Sequence, residues 1–333
     1  MGSLKIVFFY RKKRTFENFS IEKVFDLIQS HLPSQIQPIR YSVSHESSGF
    51  WKRLFITWEA FRNQGDVNHV TGDINFITFF LKKRKTVLTI HDVGFMDHPN
   101  RIYRWLLKWF WIILPVWRSQ IITVVSEATK QELLKYVRCK PAKIKVIHNP
   151  IDSSFKPLPN SFNKTKPTIL QLGTAPNKNI ERLLEALKGI PCHLEIVGKL
   201  TPSLKTKLRE NNISYTNSWE LSNEEIREKY KTCDIVTLIS TYEGFGIPII
   251  EANLAGKPVI TSNILSMPEV AGNAAHLVNP YDIEDMRKGI VKVIEDDTYR
   301  ERLIANGFEN VKRFEVDNIV KEYCEVYESL LNA

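Results

Sequence analysis

Short apolar strands alternate with helices along this chain, and the alternation stops at a proline-rich stretch and then begins again. In the first half, Lys5–Tyr10, Thr86–Ile90, Ile121–Val125 and Lys143–Ile147 read as buried strands, being short, apolar and rich in β-branched or aromatic residues. Ser20–Gln29 carries Ile21, Val24, Phe25 and Ile28 at helical spacing with Ser20 as its N-cap, and a second helix is predicted over 127–136. Ser153–Pro167 holds three prolines among Ser and Asn, the composition of a linker. Beyond it Thr168–Leu172, His193–Val197, Ile235–Ile239 and Pro258–Thr261 read as strands, with helices predicted over 179–187, 223–231, 248–255 and 317–331. Such alternation implies parallel α/β sheets, so the chain should fold as two α/β domains, 1–152 and 168–315, joined by 153–167. At 333 residues each can bury its own core without disulfides. In open α/β sheets ligands bind beyond the carboxyl ends of the strands, which singles out the loops that follow them.

Charge divides the chain in the same place. Residues 1–155 hold 24 Lys and Arg against 12 Asp and Glu, whereas 156–333 hold 22 against 25, and six of the seven tryptophans lie in the first part. A basic, Trp-rich half beside a slightly acidic one implies different partners for the two. The overall excess of +9 does not indicate nucleic acid, because no RNA- or DNA-binding motif accompanies it. Cys139, Cys192, Cys233 and Cys324 form neither a C-x-x-C nor a zinc-like pair, as expected of reduced thiols in a cytoplasmic protein. The apolar run near the N-terminus is too short for a signal peptide. Arg101–Arg118 contains four tryptophans among Lys and Arg, with Pro115 interrupting an apolar run too short to span a bilayer. This composition suits either a helix lying at an anionic membrane interface or one packed on the first sheet.

The richest segment in chemical terms is Ser240-Thr241-Tyr242-Glu243-Gly244-Phe245-Gly246-Ile247-Pro248-Ile249-Ile250-Glu251-Ala252. It follows a strand and opens a helix. Pro248 suits a first helical turn, the two glycines permit close backbone approach, and the unpaired amides of a helix start attract anions. Glu243 and Glu251 flank that turn, and carboxylates suit hydroxyl groups. A phosphate-friendly backbone between two carboxylates fits a sugar nucleotide. A plain tight turn with one glutamate in solvent and one at a helix start would read the same.

This glutamate motif resembles the signature of glycosyltransferase family 4, retaining enzymes of the GT-B fold. The resemblance extends through Leu172-Gly173-Thr174 to Lys178-Asn179, Arg182–Ala186, Ala255–Ile260 and Pro268–Ala275, and in the first half through Asp66–His69, Ile90-His91-Asp92, Val124–Thr129 and Asn149–Asp152. It implies two Rossmann-like domains facing across a cleft. Residues 1–152 would bind the acceptor and 168–315 the donor, with a helix at 316–333 crossing back to the first domain. It implies catalytic roles for Glu243, Lys178 and His91. Donor contacts would come from Glu251, Gly173, Thr174, Lys199, Gly244, Phe245, Gly246, Ile247 and Trp219, the last near a base-binding stretch at 217–221. His69 and Asp92 would lie on the acceptor side.

The implied reaction moves a sugar from a UDP- or GDP-sugar to a saccharide or lipid-linked acceptor in surface-polysaccharide synthesis. No metal or other cofactor is expected, since no Asp-x-Asp ends a strand. A non-catalytic sugar-nucleotide sensor on the same fold is the alternative. The chain departs from the family where an arginine often neighbours Gly173: Thr174 and Asn177 stand there, leaving Lys199 as the candidate second cation. The family's first glycine-rich loop is replaced by Tyr10-Arg11-Lys12-Lys13-Arg14.

Overall fold

The computed structural model describes residues 3–12, 20–152 and 161–331. The expectations for Lys13 and Arg14, for the Ser20 cap and for residues 153–160 fall outside the described residues. The chain divides into two compact units, one of Met1–Pro150 with Val316–Ala333, the other of Ile151–Glu315.

The first unit is built on six parallel strands: β1 (Leu4–Tyr10), β2 (Ile36–Ser42), β3 (Val67–Val70), β4 (Thr86–Ile90), β5 (Ile121–Val124) and β6 (Ile144–Val146). Their order across the sheet is β2-β1-β3-β4-β5-β6. β1, β3 and β4 are buried almost throughout, as strands covered on both faces must be. β2 is an edge strand with Pro38 in it and alternating exposure, which is why its sequence does not stand out. The helices in chain order are α1 (Ser20–Ser30), α2 (Phe50–Arg62), α3 (Arg101–Leu107), α4 (Leu114–Arg118) and α5 (Glu127–Leu134). A π-helical stretch, Lys108–Ile113, joins α3 to α4. α2 escaped the sequence reading because it is apolar on more than one face and shows no clean helical period.

The second unit contains β7 (Thr168–Leu172), β8 (His193–Val197), β9 (Ser214–Ser218), β10 (Ile235–Leu238), β11 (Val259–Ser262) and β12 (Ala275–Val278). The sheet runs β12-β11-β10-β7-β8-β9, all parallel. This is the 3-2-1-4-5-6 order of dinucleotide-binding sheets, whose direction of winding reverses between β7 and β10. Its helices are α6 (Ile180–Leu187), α7 (Pro202–Glu210), α8 (Asn223–Thr232), α9 (Ile247–Leu254), α10 (Met267–Ala271), α11 (Ile283–Glu295) and α12 (Asp297–Asn310). α6 buries Ile180, Leu183, Leu184 and Leu187 from one face, each worth roughly 1.5–3 kcal/mol relative to exposure. Part of the expected linker belongs to this unit. Phe162 lies under the Arg300 guanidinium at 3.7 Å, and Asp234 accepts from the amides of Asn163 and Thr168.

The C-terminal helix α13 (Val316–Leu331) packs in the first unit. Its Tyr323 and Tyr327 rings are buried against Phe8, Phe25 and His69. His69 is fully buried. Its Nδ1 lies 2.7 Å from the Tyr327 hydroxyl and its Nε2 2.8 Å from Thr89 Oγ1. Burial, with a smaller push from His91, depresses its pKa to about 3. The acceptor-side reading of His69 is thereby corrected: with no exposed surface and both ring nitrogens engaged, it ties α13 to β3 and β4.

Candidate active site

At the winding reversal of the second sheet, two loops meet. One follows β7 and carries Gly173 to Lys178; the other follows β10 and carries Ser240 to Gly246. They are joined by the Thr241 amide, which donates to the Asn177 carbonyl at 2.8 Å, and by Asn177 Nδ2, which donates to the Tyr242 carbonyl at 3.0 Å. Lys178 Nζ then lies 2.6 Å from Glu243 Oε1, and Ser240 Oγ donates to the same oxygen at 2.7 Å. Both members of the ion pair are mostly buried, with 20% and 15% of their side chains exposed. Gly173 makes the lysine's position achievable. It sits at φ +90°, and a Cβ there would approach Lys178 Cγ and Cε to 3.0 Å.

α9 opens directly from this turn. Gly246 precedes it at φ +107°, and Pro248 occupies its first turn. The Ser266 hydroxyl lies 2.9 Å from the carbonyls of both Glu243 and Phe245, fixing the turn from behind. Phe245 itself is buried edge-on against Phe314, so only its backbone can face a ligand. The backbone of Gly244 to Ile247 therefore lines the start of α9, where amide dipoles attract negative charge. One turn into α9, Glu251 Oε2 accepts from the Tyr230 hydroxyl at 2.6 Å. Tyr230 is fully buried on α8, and burial beside this carboxylate pushes its pKa well up. On the neighbouring loop Thr174 Oγ1 donates to the Lys199 carbonyl at 2.9 Å, while the Lys199 side chain is exposed. Trp219, past β9, has half its surface exposed. Sequence reasoning missed Tyr230, Ser240 and Ser266. Tyr230 and Ser266 reach partners more than twenty residues away, and Ser240 meets Glu243 only because the intervening turn folds back, so no local pattern announces these contacts.

In the first unit a separate cavity of about 700 Å³ opens beyond the strand ends. Its lining includes Arg11, Asp73, His91, Asp92, Tyr103 and Trp111. The first sheet reverses its winding between β1 and β3, and Arg11 and Asp73 come from the loops after those two strands. Arg11 pairs with both Glu22 and Asp73. His91 Nε2 donates to the Thr71 carbonyl at 2.7 Å. Burial lowers the His91 pKa against the opposing pull of that carbonyl, Asp73 and Asp92. Gly72, at φ +131°, leaves room for the ring, since a Cβ there would come within 2.8 Å of it. Asp92 is exposed at the cavity, its Oδ1 accepting from the Gly94 amide. Acidic groups, a guanidinium and two aromatic faces together suit a saccharide. In the sequence Arg11 stands in the basic stretch that replaces the family's glycine-rich loop, a stretch suited to donor or acceptor phosphate or to a solvated charge run, and Trp111 stands in the Trp-rich run 101–118; nothing there groups them with Asp73.

Arg101–Arg118 is packed against the first unit on one side only. Leu107, Ile112, Ile113 and Val116 are buried in the first core, while Ile102, Trp105, Phe110 and Trp117 are exposed. Among the described residues no helix is long and apolar enough to cross a membrane.

Residues 153–310 match the family model described as Glycosyl transferases group 1, and residues 14–155 match Glycosyltransferase Family 4. Among characterised relatives, the O-antigen chain mannosyltransferase B of Escherichia coli is 27% identical over 76% of this chain and 73% of its own length. The serotype-specific mannosyltransferase WbdA of the same species is 25% identical over 75% of this chain but only 34% of its own. Sucrose-phosphate synthase from Thermosynechococcus elongatus superposes with a TM-score of 0.77 at 15% identity, covering 99% of both chains. The Anabaena protein HepE, solved with UDP and glucose, superposes at 0.76 with 17% identity, covering 98% of this chain and all of its own.

Proposed function

Since the chain belongs to the group 1 glycosyltransferases of family 4 and has their GT-B fold, we propose that it transfers a hexose, with retention, from a nucleoside-diphosphate donor to a saccharide or lipid-linked acceptor in surface-polysaccharide synthesis. The observation that carries this reading is the Lys178–Glu243 pair at the reversal point of the second sheet, beside the start of α9. The donor is a UDP- or GDP-sugar. Mannose is the first sugar to test, because the characterised relatives are named as mannosyltransferases.

Glycosyl transfer breaks the anomeric bond to a diphosphate, so negative charge grows on the leaving oxygen and positive charge on the ring. Lys178 meets the diphosphate as it leaves, aided by the amides at the start of α9, with Lys199 as the second cation. Preorganised groups of this kind are each worth about 10²–10³ in rate. Glu243 holds Lys178 in place and, with Gly244 to Ile247, contacts the sugar and distal phosphate. Its Oε1 is already engaged by Lys178 and Ser240, which suits an orienting carboxylate better than a covalent nucleophile. The leaving phosphate takes the acceptor's proton on the same face, and no metal is invoked. Glu251 holds the ribose hydroxyls, Gly173 and Thr174 border the diphosphate, and Trp219 lies near the base. His91 positions the sugar and acceptor, with Asp92 beside it. The enzyme works in the cytoplasm and meets the anionic membrane through its basic, Trp-rich first half, including Arg101–Arg118.

Thermal unfolding of the purified chain with UDP, GDP, ADP and CMP and their sugars identifies the donor. With that donor, Lys178→Ala should lower transfer by about 10²–10³, and Glu251→Ala should abolish stabilisation by the nucleotide. Unchanged transfer and nucleotide affinity in both variants would overturn the site, and turnover by the parent protein excludes a sensor.

A further inference from the structure

The outer face of α2 is apolar in a way the core does not require. Ile56, Thr57 and Ala60 point inward and are buried. Phe50, Trp51, Leu54, Phe55, Trp58 and Phe61 are all exposed, between 41% and 78%. At 3.6 residues per turn these six share one continuous stripe turned away from the buried face. α2 is held firmly, for the Arg53 guanidinium lies 4.7 Å from the centre of the Trp111 ring. That contact sets α2 beside the exposed aromatics of 101–118. Eighteen large apolar side chains are exposed among the described residues, and thirteen of them lie in 50–64, 79–85 and 101–118. Scattered exposure of single apolar residues is ordinary, but concentration on one face marks an interaction surface.

The charges around this face indicate the occupant. The three segments hold eleven Lys and Arg against a single acid, Glu59. Glu59 is itself engaged by the Tyr41 hydroxyl and by Ser44. The run Lys82-Lys83-Arg84-Lys85 is tied to the end of α2 by the Lys82 amide, which donates to Gln64 Oε1 at 2.8 Å, and to α4 by Arg118, which donates to the Leu81 carbonyl. Tryptophan and phenylalanine rimmed by cations match the headgroup zone of an anionic bilayer. A second copy meeting the same face would set this positive charge against itself, as two-fold symmetry requires.

We propose that α2 lies in the interfacial zone of an anionic lipid bilayer, its six outer apolar side chains inserted among the headgroups and Lys82 to Lys85 held against the lipid phosphates. The proposal rests on the membrane contact inferred above and moves its centre from Arg101–Arg118 to α2. The full chain, free of nucleotide, should sediment with vesicles of phosphatidylcholine containing phosphatidylglycerol, and much less with phosphatidylcholine alone. Brominated lipid should quench its tryptophan fluorescence. Trp51→Ser with Trp58→Ser should keep the parent's thermal unfolding and lose about tenfold or more in vesicle partition. Lys82→Ser with Lys83→Ser should lose most of the preference for the anionic lipid. Equal partition of parent and tryptophan variant would overturn the proposal. So would absence of both binding and quenching, whether or not the parent forms a dimer that the tryptophan substitutions dissolve. Because no nucleotide takes part, failed sugar transfer with intact vesicle binding would count against the proposed reaction alone.

Discussion

Single hydrogen bonds to the acidic groups decide what this site can do. Glu251 was visible in the sequence as a carboxylate one turn into a helix, but its orientation comes from Tyr230, twenty-one residues earlier on α8. Tyr230 touches the carboxylate and is here a positioning residue. Tyr230→Phe should raise the donor KM about three- to tenfold while leaving kcat nearly unchanged, the effect of losing one charge-assisted hydrogen bond. Steady-state kinetics against the donor reads the split, and a fall in kcat alone would contradict it. His69 makes a different prediction. Its folded pKa of about 3 lies below the ordinary 6.5, so between those values the unfolded chain binds the extra proton. Its contribution to stability is therefore complete above pH 6.5 and is lost as pH falls toward 3, by up to about 1.4 kcal/mol per pH unit. His69→Gln can keep hydrogen bonds to Tyr327 and Thr89 but cannot titrate. Urea unfolding at about pH 7.5 and pH 5.5 should show a smaller difference for the variant than for the parent.

Among the elements, the turns after β7 and β10 do what neither strand nor helix can. A strand end aims its next residues out of the sheet, and a left-handed glycine then turns the chain back sharply enough for Lys178 to meet Glu243. Gly173→Ala puts a side chain at φ +90° and 3.0 Å from the lysine. It should cost about 1–2 kcal/mol of stability and lower transfer more than that loss of folding explains. Melting and transfer assays on one preparation separate the two effects. Sequence reading left β2, β3, β9, β12, α2, α7 and α10 to α12 unpredicted, and for three of them the cause is evident. β2 is an edge strand interrupted by Pro38, β9 is an edge strand made mostly of polar residues, and α2 is apolar on its inner and outer faces, so the local pattern of each is masked.

For the molecule as a whole, chain order and spatial order part company at the end. α13 follows the second unit in sequence but belongs to the first, where Ile319, Tyr323, Tyr327 and Leu330 are buried. A chain ending at Glu315 would leave that core open and His69 without its Tyr327 partner. Such a truncation should yield insoluble or molten protein, whereas the second unit has lost none of its own residues. Calorimetry of the soluble fraction checks this, and an unchanged profile would show that α13 is dispensable.

The alternation of strand and helix and its restart after the prolines determined the α/β class and the two parallel sheets, because burial on both faces demands continuous apolar strands. The block from Glu243 to Glu251 likewise located the candidate site, since turn glycines and a helix-opening proline are local requirements. Only the tertiary structure decided that His69 is a core residue, that Arg11, Asp73 and Trp111 line one cavity, and that α2 turns a second apolar face outward. Burial and hydrogen-bond partners depend on residues far away in the chain, and a local pattern carries no record of them.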